Sequence, residues 1–153
     1  MTTETDTPET NVSEEATHPF EKGLAMYEAK EDYAKVIATF EEGITLSPRD
    51  SVGYTCLAWL LLLRNDSGDS QQAEKLCQQA LRLDPSNYQA HFNLVLAMLE
   101  NKSKGVRQEF QQAKRKLQTP DDKAELITNL EEAVSREPEF TPAQKVLNWI
   151  QNP

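Results

Sequence analysis

Cysteine and histidine are scarce in this chain. Two cysteines, Cys56 and Cys77, stand among 153 residues, too few for a disulfide framework. Together with His18 and His91, the only histidines, they fit no zinc spacing. The five glycines, at 23, 43, 53, 68 and 105, are scattered, so no glycine-rich loop is available to cradle a phosphate. The longest apolar run covers residues 56–63, far short of the roughly 20 residues that span a bilayer. The first residues have neither a basic n-region nor an apolar h-region, so no signal peptide is expected and the protein reads as soluble and cytoplasmic. The Asn-x-Ser sequons at Asn11, Asn65 and Asn101 are then chance matches. Positive charge is short as well: 16 Lys and Arg face 25 Asp and Glu, for a net charge of -9. That balance argues against non-specific nucleic-acid binding, which rewards clustered cations.

Catalytic constellations are missing too. Cys77 falls on a small-residue packing seam, where a buried thiol is inert, and His91 occupies a packing position on its predicted helix. The pairs Glu41-Glu42 and Glu131-Glu132 are adjacent in sequence and so diverge around their helices. The expectation is a protein that is not an enzyme and that uses no cofactor and no metal.

What is present is a repeat. An apolar residue is followed four on by another, three further on by a small residue, and five further on by proline. The three copies are Val36-Phe40-Gly43-Pro48, Ala73-Cys77-Ala80-Pro85 and Leu126-Leu130-Ala133-Pro138. Offsets of four and three place side chains on one helical face. The small residue lets a second helix approach, and the proline stops the helix. Val106-Phe110-Ala113-Leu117 repeats the offsets with its proline delayed to Pro120.

Residues 1–17 hold Glu4, Asp6, Glu9, Glu14 and Glu15 with no Lys or Arg and almost no large aliphatic residue. They are expected to be a disordered acidic tail. The helical period runs from His18 to the end. Phe20, Gly23, Leu24 and Tyr27 lie on a first helix, and Val36, Phe40 and Gly43 on a second. Tyr54, Leu57, Ala58 and Leu61 follow, then Ala73, Cys77 and Ala80, with Asp50 or Ser51 and then Ser70 as candidate N-caps. His91, Leu94, Val95 and Met98 lead to a break over 101–105. After the Val106 helix, Pro120 and Thr141-Pro142 open the last two helices, the final one carrying Val146, Leu147, Trp149 and Ile150. About eight helices in antiparallel pairs are predicted, an all-α chain without a convincing strand.

These residues resemble the tetratricopeptide repeat (TPR), a helix–turn–helix unit of about 34 residues that stacks into a right-handed superhelix. Phe20, Gly23-Leu24, Tyr27, Tyr33, Val36, Phe40, Gly43 and Pro48 follow the family pattern nearly throughout. Tyr54, Leu57-Ala58, Leu61, Ala73, Cys77, Ala80 and Pro85 follow it with a longer loop at 65–69. Units are expected at 18–50, 51–87 and 88–119 within an 18–153 repeat domain, with 120–153 a degenerate or capping unit.

The resemblance implies a concave groove, lined by the first helix of each unit, that receives a partner peptide or helix. One variant of the family grips the C-terminal carboxylate of heat-shock chaperones with Lys and Asn. Here the corresponding positions are Glu21, Ala25, Cys56, Gln89 and Asn93, which lack the cations and argue against that partner. The remaining groove positions are mostly apolar: Trp59, Leu62, Leu63, Phe92, Leu96 and Leu99. A helix that is hydrophobic all round, as over 57–63, needs cover on every side. The cover is a partner's apolar or amphipathic helix anchored on Trp59 and Phe92, or the chain's own last helix or a second copy of the chain, or these residues are ordinary core.

A second surface is basic. Across 102–123, Lys102, Lys104, Arg107, Lys114, Arg115, Lys116 and Lys123 outnumber Glu109, Asp121 and Asp122. Such a run is a solvated face or a site for an anionic partner, with one aromatic, Phe110, too few to stack bases. The leading expectation is a protein–protein interaction adaptor or scaffold, an assembly factor or accessory subunit of a larger complex. The alternatives are a structural subunit or homodimer with a filled groove, and an anionic-surface binder through 102–123.

Overall fold

The computed structural model describes residues 17–153. The expected acidic tail therefore lies, except for Thr17, outside the described residues, as does Asn11. Eight α-helices and no strand are found among the described residues, and they divide into two compact units, one ending at Pro48 and the other starting at Arg49.

The first unit is one helical hairpin, α1 (Pro19–Glu28) and α2 (Tyr33–Leu46). His18 caps α1: its Nδ1 accepts from the Phe20 N–H at 3.0 Å, and the Glu21 carboxylate accepts from the His18 N–H at 3.4 Å. Two donors otherwise left over at the helix start are thereby satisfied. With Nδ1 an acceptor, Nε2 carries the proton and donates to Ser47 Oγ at 2.8 Å, tying the start of α1 to the end of α2. Two glycines explain how closely the pair packs. A Cβ on Gly23 would meet the Phe40 ring at 2.6 Å, and a Cβ on Gly43 would drive into the Phe20 ring. Each phenylalanine thus lies over the glycine of the opposite helix, and the two rings stack at 5.8 Å. The small residue of the repeat signature is a socket for an aromatic ring.

The second unit has six helices: α3 (Ser51–Arg64), α4 (Asp69–Leu83), α5 (Tyr88–Glu100), α6 (Val106–Lys114), α7 (Pro120–Arg136) and α8 (Thr141–Gln151). Asp50 caps α3 by accepting from the Val52 N–H at 3.0 Å. Asn65 ends that helix in the left-handed region, at φ 51°. The loop to α4 is clipped by Arg64, whose guanidinium makes a two-point contact to Asp69 at 2.8 and 2.9 Å. Gly68, not Ser70, stands at the N-cap of α4, with φ 88°; Ser70 instead donates to Asn101 Oδ1 at 2.5 Å, joining α4 to the end of α5. Thr119 and Asp122 form a reciprocal capping box on α7, with Pro120 at its first position.

Ala73, Cys77 and Ala80 of α4 are fully buried, as are Leu126, Leu130 and Ala133 of α7 or nearly so. Helices α3, α4, α5 and α6 pack in sequence order, while α7 packs on α8. The order then breaks: α8 lies against α5, and α6 and α7 do not pack closely. Helix α6 stops at Lys114, so Leu117 falls in the following turn, outside the helix its spacing predicted.

The glycine sockets give a direct stability test for the first unit. Gly43→Ala and Gly23→Ala each gain up to about 1 kcal/mol of helix propensity but force a methyl group into a ring. The net expectation is destabilisation of about 1–3 kcal/mol, read as a lower urea midpoint. Ala38→Gly at an exposed position of α2 loses only the propensity of about 1 kcal/mol.

Candidate functional site

Helix α5 is the centre of the second unit. Residues 90–97 are buried without interruption, and at 3.6 residues per turn that run includes every face of the helix. Helices α3, α4 and α6 supply three of its neighbours, and α8 supplies the fourth. Val146, Leu147 and Ile150 of α8 are buried, while Gln144, Lys145 and Asn148 are exposed. The last helix is thus amphipathic, and its apolar face is consumed inside the chain.

Three aromatic rings mark the junction. Phe92 of α5 meets Phe110 of α6 edge-on at 6.0 Å, and Phe110 meets Trp149 of α8 edge-on at 5.1 Å. Both geometries suit the ring quadrupoles. The Arg107 guanidinium carbon lies 4.3 Å over the Trp149 ring, an attraction between a cation and the negative face of the indole.

The six apolar groove candidates are therefore not equivalent. Leu62, Leu63, Phe92 and Leu96 are buried, none more than 2% exposed. Trp59 and Leu99 are half-buried. Four of the six are occupied by packing inside the chain, so they form no open apolar trough. Residues 60–63 are likewise all buried, so the apolar end of α3 has cover on each side.

Polar groups fix how α3 meets α5. The Asn87 side-chain amide donates one hydrogen to Ser51 Oγ at 2.8 Å and the other to Thr55 Oγ1 at 2.9 Å. Its oxygen accepts from the Ala90 N–H and caps α5. Asn93 donates to the Thr55 carbonyl at 3.2 Å, and Ser51 Oγ donates to the Ala80 carbonyl of α4 at 2.9 Å. This seam was not foreseen from sequence, where Ser51 reads as an N-cap candidate and Asn93 as a groove position.

At the positions where a chaperone carboxylate would be gripped, Glu21 and Ala25 are exposed on α1. Gln89 donates to Glu125 at 2.5 Å, and Asn93 is buried and engaged as above. The Cys56 thiol is pushed up to about 11, by burial first and then by Asp50; burial pushes Cys77 higher still, with Glu74 adding to it. Both thiols are protonated near neutral pH, the less reactive form. No group of three His, Cys, Asp or Glu side chains among the described residues could hold a metal ion, and no described helix is long and apolar enough to cross a membrane.

Of the basic candidates, Lys102, Lys104, Arg107 and Arg115 are exposed, while Lys114 and Lys116 are half-buried. Lys114 lies near the Phe110 ring at 5.7 Å. Burial lowers the pKa of Lys116, opposed by Glu109 and Asp84. His91, 5% exposed, pairs its Nε2 with Glu109 at 2.7 Å, while its Nδ1 is buried without a partner. Burial lowers its pKa, with Lys116 acting in the same direction and the Glu109 contact opposing.

No family model matches the sequence, and no curated protein matches it significantly. Solved structures do. The TPR domain of Arabidopsis OM64 matches with a TM-score of 0.51 at 21% identity, over 86% of this chain and 89% of that one. The first TPR of Spaghetti (RPAP3), bound to the HSP90 peptide SRMEEVD, matches with a TM-score of 0.50 at 20% identity, over 86% of each chain. The second TPR domain of human RPAP3, in complex with an HSP70 peptide, matches at 18% identity and a TM-score of 0.49, over 89% of this chain and 94% of that one. The fold is that of a TPR domain.

Two measurements check this packing. Phe92→Ala removes a wholly buried ring and is expected to cost about 3–5 kcal/mol of stability, far more than an exposed substitution such as Lys104→Ala. His91 supplies a pH signature. Its unfolded-state pKa is near 6.5 and its folded value is lower, so its protonation leaves stability untouched above that pH. Stability is lost as pH falls from about 6.5 through the folded value, because the unfolded chain takes the proton first. His91→Gln is expected to flatten the stability profile between pH 7.5 and 5.5 in urea melts.

Proposed function

We propose that this chain is a non-enzymatic protein-interaction module, in which the face of α5 that α8 covers takes an apolar or amphipathic helix of a partner protein. The observation that carries the reading is α8: an amphipathic helix already lies against α5, with Val146, Leu147 and Ile150 buried. A face that accepts this helix has the shape and polarity to accept another of the same pattern. Solved structures of the same fold support the class of activity, since the Spaghetti domain holds a peptide of a second protein. A chaperone-type carboxylate partner is disfavoured, because Glu21, Ala25, Cys56, Gln89 and Asn93 offer no cation to it. Trp59 and Leu99, half-buried, are the candidates for contact with a partner that reaches past α8. A role as accessory subunit or assembly factor fits such a module.

A second reading has an observation of its own. The unbroken burial of 90–97 is also what a permanently closed structural subunit would show, with α8 as core. Val146→Asp combined with Ile150→Asp loosens α8 and separates the two. An adaptor is expected to retain a cooperative melt and to bind an apolar dye and a labelled peptide of residues 141–151. If the whole second unit instead loses its cooperative transition and binds no peptide, α8 is a fixed core element and the adaptor reading fails.

A further inference from the structure

Helix α6 has an outer face that the packing leaves open. Arg107, Gln108, Gln111, Gln112 and Arg115 are all exposed and line a shallow depression of about 550 Å³. The spacing i, i+1, i+4, i+5, i+8 is that of a single helical stripe. The one carboxylate of α6, Glu109, turns inward to His91 at 2.7 Å. The stripe consequently carries two cations, three neutral amides and no acid. No ion pair among the described residues uses Arg107 or Arg115, in a chain of net charge -9. Arg107 is held over the Trp149 ring at 4.3 Å, so its side chain is ordered before any ligand arrives. A pre-ordered guanidinium forms a two-point bond to a carboxylate at lower entropic cost.

We propose that this face of α6 binds an acidic, extended segment of a partner protein, with Arg107 and Arg115 each taking one carboxylate. Eight residues of helix separate the two guanidinium groups by about 12 Å along the axis. Two acidic residues four apart in an extended strand lie on one side of it, about 13 Å from each other. Gln108, Gln111 and Gln112 lie between, able to donate to and accept from the peptide backbone of the segment. Polyphosphate surfaces fit less well. Phe110, the one aromatic of α6, is 1% exposed and offers no platform for stacking a base. The site lies on the outer face of α6, apart from the face of α5 that α8 covers, and its Arg107 depends on α8 staying in place through Trp149.

The test uses full-length protein and a fluorescein-labelled peptide of alternating Glu and Ser, read by fluorescence anisotropy at low salt. Arg115→Gln, which disturbs no ring contact, is expected to weaken binding about tenfold, and Arg107→Gln by a similar factor. Lys123→Gln on α7, the same loss of charge away from the stripe, is expected to change it less than about twofold. A peptide of equal charge with Glu at every third residue is expected to bind more weakly than the alternating one. Equal losses in all three variants, or no preference for spacing, would overturn the site in favour of diffuse charge attraction. Binding to phosphatidylserine vesicles or to single-stranded DNA that exceeds peptide binding, and is lost in Arg115→Gln, would overturn the ligand class. Replacing Glu4, Asp6, Glu9, Glu14 and Glu15 by the matching amides is expected to leave peptide affinity unchanged. A tenfold gain there would make the chain's own acidic stretch the occupant and overturn the partner assignment.

Discussion

A helix that is buried on every face cannot end a stack; it has to be enclosed. That constraint falls on α5, where residues 90–97 are buried without a gap, with the polar His91 and Asn93 hydrogen-bonded inside. Ordinary stacking supplies neighbours on the α4 and α6 sides and contact with α3. The remaining face is closed when the chain returns with α8, past the position where a regular repeat would continue. The irregular C-terminal third follows from this closure. Helix α6 is short, α7 keeps away from it, and Trp149 lies on Phe110 under the cover of Arg107.

Polar contacts set the angle and depth of the same packing. Asn87 commits both amide hydrogens to Ser51 and Thr55 on α3 and its oxygen to the first turn of α5. At the opposite end, Asn101 donates to the Ser70 carbonyl and to Glu74 on α4. One asparagine at each end of α5 therefore ties it to α3 and to α4. An unpaired amide buried in such a seam costs about 1–3 kcal/mol, so either end resists sliding by a turn. Against this fixed core, α6 and the turn after it leave Arg107 and Arg115 exposed.

Much of the architecture was legible in the sequence for a physical reason: helical periodicity and helix stops are local properties. Val36-Phe40-Gly43 and Leu126-Leu130-Ala133 announce buried faces, and Pro48, Pro85 and Pro138 announce ends. The glycine at 43 was read as a small residue, and it proves to be the socket for Phe20. The groove was less legible. Trp59, Leu62, Leu63, Phe92, Leu96 and Leu99 all read as one apolar lining, because their pattern states that they need cover and is silent on what provides it. Burial separates Trp59 and Leu99 from the other four. The stripe on α6 was visible only as a run of charge over 102–123. Knowing that Glu109 turns inward and that Arg107 lies over Trp149 required three dimensions, since those contacts join residues far apart in the chain.

Closure of α5 by α8 is most directly tested by nuclear Overhauser effects between the Phe110 ring and the Trp149 indole in the full-length protein. Ring centroids 5.1 Å apart place their edge protons within observable range, and the Arg107 side-chain protons should be shifted upfield by the indole beneath them. Cross-peaks among these three residues, with helical shifts across 141–151, are the expected result. Their absence, together with random-coil shifts over 141–151 while α5 remains folded, would contradict the closure.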